Sequence, residues 1–432
     1  MTKHNIQAIR GMRDILPTQT TWWHRMEDQL LSVLKLYGYK EIRTPILEKT
    51  ALFSRSIGEQ TDIVSKEMYT FTDRDGSSLT MRPEGTASVV RAFVEHNLIR
   101  AEPVNRLFYM GPMFRHERPQ KGRYRQFYQM GAELLGSADP AADVELMELM
   151  VRCISSVGLD DTSLHINSLG CSECRPAYRE KLVEYLKKHE QRLCDDCKRR
   201  LETNPLRVLD CKKDACISVS QKAPHMMDFL CHDCSEHFET VRAGLSALDL
   251  QYELDHRMVR GLDYYGRTTF ELIAKGLGAQ NAVAAGGRYD GLVKQIGGPD
   301  VPAVGFASGL DRILLLLQEQ LQQPKAMPVL FLVTHGNEAW LEGLKISAML
   351  RRDGFKVMTD VRRGSMKSQM KRADKDGARF VLIVGDDELS SGQVTVKDMV
   401  ATPGSAKQIS VPSDELSTWL RARLGDGKGQ SR

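Results

Sequence analysis

The densest group of residues that could do chemistry lies between Tyr109 and Gly136, where the sequence reads YMGPMFRHERPQKGRYRQFYQMGAELLG. Its basic residues surround the turn Pro119-Gln120-Lys121-Gly122 and are Arg115, His116, Arg118, Lys121, Arg123 and Arg125. The flanking segments predict the two strands of a hairpin. Planar guanidinium groups on adjacent strands suit bidentate binding of phosphate oxygens, and a basic loop tip suits a nucleic-acid backbone. On charge alone, a solvated sheet edge on which basic residues prevent aggregation explains the pattern equally well.

Two polar residues on the second flank favour a binding site over a bare sheet edge. Gln129 and Glu133 fall at even spacing, which places them on one face of a strand that otherwise has a buried pattern. A carboxylate on a mostly buried strand needs a partner, because an unpaired buried charge is costly. A cationic or hydrogen-bonding ligand is one candidate for that partner.

Further segments combine charged residues with glycine. TMRPEGT places Arg82 and Glu84 in a tight connection that leads into a helix, and alone it is better explained by Thr86 capping that helix. VRGLDYYGRTTFE combines Arg260 with a Tyr-Tyr pair, and alone it is typical of a sheet segment. GGRYDGL and VGFASGLDRILLLL are glycine-rich turns, and the second leads into a helix that carries Arg312. Such turns let a ligand approach the backbone closely, but each is a weak signal by itself.

The cysteines form a second candidate site, because eight of the nine fall in one short stretch of the chain. In a chain without an evident signal peptide, close-paired cysteines are typical of metal ligands or redox pairs. Their spacing fits one four-thiolate Zn²⁺ site and allows a second, with a helix between the first two Cys-x2-Cys pairs that could bring those pairs together. The first site consists of Cys171, Cys174, Cys194 and Cys197, and the second of Cys211, Cys216, Cys231 and Cys234. Reduced thiols without a metal are the alternative.

The composition is that of an ordinary globular protein. Among 432 residues, 60 Lys and Arg stand against 56 Asp and Glu, which gives a net charge of +4, and 41% of the residues are apolar. This balance excludes wholesale attraction to nucleic acid, so any such partner must be met by local patches. No run approaches the ~18 to 20 apolar residues that span a bilayer, and the first residues show no apolar signal core. We therefore expect a cytoplasmic location and no membrane partner.

The elements that would position these residues divide the chain into two parts. Helices are predicted from Trp22 to Tyr37, from Ala142 to Val157 and from Pro176 onwards. Strands mixed with few helices predict an α+β sheet domain, into which the cysteine-rich segment at about 171–238 is inserted. After a Gln/Pro-rich link, Gln318–Pro328, strands that alternate with helices predict a small parallel α/β domain. The terminal GDGKGQSR is expected to be frayed.

In combination, these motifs resemble those of the bacterial histidyl-tRNA synthetases, which are class II aminoacyl-tRNA synthetases. GYKEIRTPILE around Pro45, FRHERPQKGRYRQF and GFASGLDRI resemble the three motifs that define the class, whereas RGLDYYGRT and TMRPEGT resemble elements particular to the histidine enzyme. The similarity runs from RGMRDILP to GSMKSQMKRADKDGAR and covers essentially the whole chain. It implies an antiparallel-sheet catalytic domain over 1–325, with the insertion at about 171–238, and a C-terminal α/β anticodon-binding domain over 327–432. It also implies a homodimer, with the first motif at the interface.

The resemblance further implies an ATP-dependent enzyme that joins L-histidine to histidine tRNA by way of histidyl-adenylate. Mg²⁺ would accompany the triphosphate, and catalysis would consist mainly of positioning and of stabilising phosphoryl charge. Arg115 and Arg260 would be the catalytic arginines, both on the α-phosphate. ATP would be held by Arg115, Arg123 and Arg312.

The same resemblance implies a set of histidine-binding residues, which are Glu84, Gly85, Thr86, Arg115, Gln129, Glu133, Arg260, Tyr264 and Tyr265. Within this set, Glu84, Thr86 and Gln129 would hold the amino group. Glu133 and Tyr265, with Tyr264 beside them, would bind the two imidazole nitrogens, which would give the buried carboxylate its partner.

Two regions would meet the tRNA. Gln120 and its basic neighbours would lie near the acceptor end. VRRGSMKSQMKRADK, with six basic residues against one acid, would belong to the anticodon-binding domain, although charge alone favours an exposed amphipathic helix.

Two other functions fit parts of the sequence. A catalytically silent paralogue, serving as a regulatory subunit in histidine biosynthesis, would share the catalytic domain but usually lacks the C-terminal domain and parts of the histidine-specific motifs. A zinc-dependent nucleic-acid-binding protein would explain the cysteine-rich segment but not the arginine run. Both the C-terminal domain and the histidine-specific motifs are present here, which favours the enzyme.

Overall fold

The computed structural model describes residues 6–58, 61, 63–275, 282–320, 329–400 and 407–424. The chain forms two compact units, Met1–Pro324 and Lys325–Arg432. The predicted Gln/Pro-rich link begins inside a helix that ends at Gln320, and its remaining residues lie outside the described residues, as does the terminal GDGKGQSR.

Two sets of elements build the first unit. Its α-helices are α1 (Pro17–Leu36), α2 (Thr50–Ile57), α3 (Thr86–Glu95), α4 (Pro140–Ser156), α5 (Cys174–Lys188), α6 (Asp195–Thr203), α7 (Asp214–Ser220), α8 (His232–Ala247), α9 (Leu292–Gln295) and α10 (Leu310–Gln320). Its strands are β1 (Lys40–Glu41), β2 (Leu47–Lys49), β3 (Tyr69–Thr72), β4 (Ser78–Met81), β5 (Asn105–Phe114), β6 (Gln126–Leu135), β7 (Thr162–Ser168), β8 (Tyr252–Leu254), β9 (Gly266–Ala274), β10 (Ala282–Arg288) and β11 (Ala303–Gly309).

The predicted helices form, with small shifts at their ends. The first begins at Pro17 rather than Trp22, because proline is well suited to the first turn of a helix, where its missing N–H costs nothing. Trp22, Met26, Leu30 and Leu34 recur every four residues, and all four are buried along one stripe of α1. This stripe packs in the larger core of the unit.

A large antiparallel-rich sheet organises the first unit, which confirms the predicted fold class. Its strand order is β1-β5-β6-β11-β10-β9-β7-β8, and every neighbouring pair is antiparallel except the two outermost pairs. Helices α1, α4, α8 and α10 share one core with this sheet, and α3, α5 and α9 contribute to a second core. Strands β2, β4 and β3 form a separate small sheet.

The predicted hairpin is formed by β5 and β6, but the basic run is not on its strands. The ladder extends from Asn105 opposite Leu135 to Phe114 opposite Gln126. The N–H of Arg115 still donates to the carbonyl of Arg125 at 2.9 Å, and residues 115–125 form the connection. The arginines therefore leave the sheet on a loop and do not stand on adjacent strands, as their spacing had suggested.

The cysteine-rich segment lies between two paired strands of the large sheet. Helices α5 to α8 separate β7 from β8 in the chain, yet β7 and β8 pair side by side. The segment is thus an excursion from the sheet, and the chain returns to the same sheet after it.

The second unit has a mixed sheet with helices. Its elements are β12 (Val329–Thr334), α11 (Asn337–Arg352), β13 (Val357–Thr359), α12 (Met366–Lys375), β14 (Ala378–Val384), α13 (Asp386–Ser391), β15 (Gln393–Asp398), β16 (Gln408–Pro412) and α14 (Leu416–Leu424). Strands β13, β12 and β14 are parallel, as predicted, whereas β15 and β16 join antiparallel. β15 is antiparallel to β14 because the connection between them, residues 385–392, is too short for the crossover that a parallel neighbour requires. Within the described part of the chain, no helix has both the length and the apolar character to cross a membrane.

Candidate active site

A cavity of about 290 Å³ opens in the first unit, between the 115–125 connection, the strands β6 and β9 to β11, and the segment that precedes β9. Most of the site residues expected from the sequence line it, namely Glu84, Thr86, Arg115, Arg123, Gln129, Arg260, Tyr264, Tyr265 and Arg312. Gly85, Gln120 and Glu133 do not line it.

Three arginines, Arg115, Arg123 and Arg312, make part of the cavity lining cationic. Arg115 is fixed by its Nε, which donates to the carbonyl of Pro83 at 2.8 Å, and Arg312 by a bond of 2.9 Å to the carbonyl of Ala282. Arg123 pairs with Glu117 at 2.8 Å. Burial and the neighbouring Arg123 lower the pKa of Arg312, although it remains a cation in the accessible pH range. Guanidinium groups held on carbonyls in this way present their remaining N–H donors to an anion such as phosphate.

Arg260 lies against an acidic and an aromatic residue of the cavity wall. It forms an ion pair with Glu271 and lies 5.3 Å from the ring centre of Tyr265. Burial disfavours its charge, but Glu271 and Tyr265 outweigh burial and raise the pKa of Arg260. Its buried Nε has no hydrogen-bond partner among the described residues, so this donor is open to a ligand.

Glu84 caps a helix, the role that the sequence alone had favoured for Thr86. Its carboxylate accepts the N–H of Thr86 at 2.6 Å and the N–H of Ala87 at 2.8 Å at the start of α3. Burial raises the pKa of Glu84, and these backbone bonds partly offset it. Gly85 lies between them because a side chain there would overlap the ring of Tyr109.

Glu133 lies behind the cavity wall, and its partners are protein groups. Its Oε1 accepts the hydroxyl of Thr86 at 2.7 Å, its Oε2 accepts the hydroxyl of Tyr289, and the residue is 1% exposed. Burial, with a smaller effect of Glu84, raises the pKa of Glu133 to about 8, although the two hydroxyl groups work against the shift. The sequence predicted that this carboxylate needs a partner, and the hydroxyl groups of Thr86 and Tyr289 are that partner. A ligand in the cavity would therefore interact with Glu133 only through these two hydroxyl groups.

The remaining expected residues divide between the cavity and the loop tip. The buried Oε1 of Gln129 has no partner among the described residues and can accept a bond from a ligand. The rings of Tyr264 and Tyr265 lie 4.6 Å apart, and burial raises the pKa of both, so they stay neutral donors. Gln120 is at the exposed tip of the connection, where it pairs with Arg123.

Three residues that sequence reasoning did not single out belong to this site. Glu117 and Glu271 are the carboxylates opposite the arginines, and Tyr289 bonds Glu133 from behind. Each lies within a segment already of interest, and Glu117 follows Arg115 by two residues. A lone acid inside a basic run was the signal that could have revealed it.

The cysteines form two clusters, but not in the predicted pairing. Cluster A consists of Cys171, Cys174, Cys231 and Cys234, and cluster B of Cys194, Cys197, Cys211 and Cys216. Within each cluster the sulfur atoms lie within 4.8 Å of one another. A tetrahedral Zn–S length of about 2.3 Å requires sulfur atoms roughly 3.8 Å apart. The observed separations of 3.6, 3.8 and 3.9 Å fit that requirement, so either cluster could hold a metal ion.

The predicted pairing of Cys171 and Cys174 with Cys194 and Cys197 is wrong for a geometric reason. Helix α5 begins at Cys174 and is 15 residues long, so it carries the chain roughly 22 Å away before Cys194 is reached. The helix separates these two pairs instead of bringing them together. Cys174 instead meets Cys231 and Cys234 at the start of α8.

Comparison with known proteins agrees with this architecture. Residues 11–313 match the family model for histidyl-tRNA synthetase, and residues 329–423 match that for the anticodon binding domain. A histidine–tRNA ligase of Syntrophotalea carbinolica is 51% identical over 97% of this chain and 99% of its own length. One of Trichlorobacter lovleyi is 53% identical over 98% of this chain and 100% of its own. A crystal structure of the apo histidyl-tRNA synthetase of S. aureus superposes with a TM-score of 0.79 at 37% identity, covering 96% of this chain and 99% of that one.

An antiparallel sheet beside a cavity lined by convergent arginines and carboxylates, followed by an anticodon-binding unit, defines a class II aminoacyl-tRNA synthetase. Within that class, the chain belongs to the histidyl-tRNA synthetase family.

Proposed function

We propose that this protein ligates L-histidine to its cognate tRNA in two steps, with histidyl-adenylate as the intermediate. A carboxylate oxygen of histidine attacks the α-phosphorus of ATP and diphosphate leaves. A hydroxyl of the terminal ribose of the tRNA then attacks the histidyl carbonyl and AMP leaves. The observation that carries this proposal is one cavity lined by four guanidinium groups together with Glu84, Gln129 and two tyrosines.

The arginines would act on the phosphates. Arg115, Arg123 and Arg312 would hold ATP, and Arg260 would approach the α-phosphate from the opposite wall. Negative charge shifts toward the departing diphosphate, and fixed cations stabilise that charge without having to reorganise. The family uses Mg²⁺ with ATP, and Glu117 and Glu271 offer the carboxylate oxygens that this ion prefers. When bound, Mg²⁺ would neutralise part of the phosphate charge.

The polar and aromatic residues of the lining would recognise histidine. The open acceptor of Gln129 and the carboxylate of Glu84 would face the substrate ammonium, with Gly85 and Thr86 shaping the start of α3. Tyr264 and Tyr265 would contact the imidazole, and Glu133 would act on it through Thr86 at 2.7 Å and through Tyr289. A site built to hydrogen-bond substrate donors rejects analogues that lack them by roughly 10⁴ to 10⁵.

The second unit and the loop tip would bind the tRNA. Gln120 lies at the exposed tip of the 115–125 connection, close enough to the arginines to meet an acceptor end. Near-complete agreement in length with histidine–tRNA ligases argues against the regulatory-subunit alternative, since such a paralogue usually lacks the C-terminal unit.

We further propose that the enzyme is a homodimer that works in the cytoplasm, where tRNA and ATP are found. The segment around Pro45 supports the dimer, because Ile46 and Leu47 are large apolar residues with 42% and 43% of their surfaces exposed. A partner subunit would cover them.

Each cysteine cluster is proposed to hold one structural Zn²⁺, for which four thiolates are a suitable ligand set. Metal analysis of protein purified without added zinc should then give close to two equivalents per chain. Less than about half an equivalent would contradict both sites.

Histidine-dependent exchange of labelled pyrophosphate into ATP tests the proposed reaction in the absence of tRNA. We expect exchange with histidine and none with histidinol, which lacks the reacting carboxylate. Well-folded protein without any histidine-dependent exchange would overturn the enzyme and favour the regulatory alternative.

A further inference from the structure

Cluster A lies directly beside the part of the chain that carries Tyr265. Cys174 is the first residue of α5, and the guanidinium of the next residue, Arg175, reaches the active-site segment. There Nη2 donates to the main-chain carbonyl of Tyr265 and Nε donates to the carbonyl of Leu169 at 3.2 Å. One arginine therefore connects the helix that begins at a cysteine of cluster A to the backbone behind a tyrosine of the cavity.

The backbone that precedes cluster A, at Leu169 and Gly170, is also hydrogen-bonded to the segment that carries Tyr265. The N–H of Leu169 donates to Arg267 O at 2.7 Å, and the N–H of Arg267 donates to Gly170 O at 2.9 Å. Gly170 has a φ of +61°, and a side chain there would collide with Cys174, its Cβ only 2.7 Å from that of the cysteine. The pairing of β7 with β9 thus runs without interruption into the loop that carries Cys171.

The other two cysteines of cluster A, Cys231 and Cys234, lie at the start of α8, and this helix also contacts the segment that carries Tyr265. His237 follows Cys234 by three residues, and its Nδ1 lies 3.4 Å from Nη1 of Arg267. Arg267 itself has a φ of +48°, a conformation that residues other than glycine rarely adopt without support from their surroundings. The helices that supply cluster A therefore contact the chain just after Tyr264, α5 at Tyr265 and α8 at Arg267.

We propose that a metal ion in cluster A positions the histidine pocket, with Arg175 as the positioning residue that links the cluster to Tyr265. This rests on the proposed function only in that Tyr265 contacts histidine. The sulfur atoms of the cluster already accept backbone donors, at 3.1 Å from Cys231 N to Cys174 Sγ and at 3.4 Å from Glu173 N to Cys171 Sγ. A metal would fix the start of α5 against the start of α8, and Arg175 would transmit that fixed position to the carbonyl of Tyr265.

Cluster B is the internal comparison. Its link to the segment that carries Tyr264 and Tyr265 is less direct. It runs through Asn204, whose side chain donates to Asp263 at 3.3 Å in an exposed hydrogen bond. Asn204 lies seven residues after Cys197, whereas Arg175 follows Cys174 immediately. Loss of metal from cluster B should consequently affect stability more than histidine binding.

The test measures the dissociation constant for L-histidine by calorimetry, which does not depend on turnover, together with zinc content and the KM for ATP. Arg175→Gln should raise the histidine dissociation constant at least about fivefold, since it removes charge-assisted hydrogen bonds. It should leave both zinc equivalents and the KM for ATP unchanged. Arg175→Lys keeps the positive charge but has only one donor nitrogen, so it should recover part of the affinity for histidine. Arg179→Gln, exposed one turn further along α5, is the matched control and should have no effect.

Cys231→Ser and Cys211→Ser then separate the two clusters. Each should lose about one zinc equivalent, and only Cys231→Ser should weaken histidine binding by the factor seen for Arg175→Gln. Histidine affinity within twofold of the wild type in Arg175→Gln, an equal rise in the KM for ATP, or full zinc retention in Cys231→Ser would each overturn the proposal. A wild-type enzyme that binds histidine but shows no pyrophosphate exchange would contradict the proposed function. The histidine affinity of Arg175→Gln would still decide whether cluster A positions the pocket.

Discussion

The carboxyl group of Glu133 combines a stability cost with the binding role proposed above. Its pKa is raised from 4.5 to about 8 by burial, so the folded protein keeps a proton that the unfolded chain releases. The stability contributed by this proton is fully present below pH 4.5 and is lost as the pH rises through 8. Full ionisation therefore costs on the order of 5 kcal/mol.

Glu133→Gln should remove this pH dependence while weakening histidine binding. We expect the difference in melting temperature between the variant and the wild type to grow in favour of the variant from pH 6 to pH 9. Thermal unfolding followed by circular dichroism at several pH values measures it. Glu180→Gln, at an exposed position on α5, should show no such trend. A difference that does not change with pH would mean that Glu133 is already ionised at pH 6.

Arg260 is the second residue whose role can be isolated. Its side chain is 14% exposed and paired with Glu271, and its Nε has no hydrogen-bond partner among the residues that the structure describes. Arg260→Ala should reduce the rate of adenylate formation at least about tenfold, because it would remove a fixed cation from beside the α-phosphate that we propose it contacts. Single-turnover kinetics in the absence of tRNA measure this step, and Arg118→Ala, exposed on the connection, serves as the control. Near-normal rates with an intact fold would remove Arg260 from the catalytic residues.

At the scale of elements, the pairing of β11 with β6 determines how deeply Glu133 is buried. Gly305 lies directly opposite Glu133, and a Cβ on Gly305 would approach Oε2 of Glu133 to 1.8 Å. Gly305→Ala should therefore displace the carboxylate and weaken histidine binding at least about tenfold, with a smaller effect on the KM for ATP. Gly291→Ala places the same methyl group in open space and should change neither. Equal losses for both substrates would indicate a general collapse of the site.

Elements also show where sequence reasoning succeeds and where it stops. The buried stripe of α1 and the β5–β6 hairpin follow from local periodicity, and the structure confirms both. The pairing of the cysteines failed because it depends on the direction in which α5 carries the chain, which spacing does not record. The inner partners of Glu133 were also missed, since Thr86 and Tyr289 are distant from it in the sequence. Contacts between segments that are far apart in the chain were predicted only where a family resemblance supplied them.

At the scale of the whole molecule, a net charge of +4 is compatible with a polyanionic partner because basic residues are concentrated locally. In the second unit, α12 buries Gln369 and Ala373 and exposes Lys367 and Lys371, which lie one turn apart. Gln369 fixes the helix to the sheet by donating to Thr334 O at 2.8 Å and accepting its N–H at 3.1 Å. The two lysines therefore project from a rigid helix and not from a loop.

The double substitution Lys367→Ala and Lys371→Ala should weaken tRNA binding without touching activation. If each lysine neutralises one phosphate, the slope of log affinity against log salt concentration should fall by roughly 1.5 to 2. Aminoacylation should then show a several-fold higher KM for tRNA, while histidine-dependent pyrophosphate exchange stays at the wild-type rate. Lys345→Ala with Lys356→Ala, two exposed lysines elsewhere in the same unit, makes an equal change in net charge. If this control pair lowers the salt slope as much as the α12 pair, the attraction is a property of overall charge and α12 is not the surface that meets the tRNA.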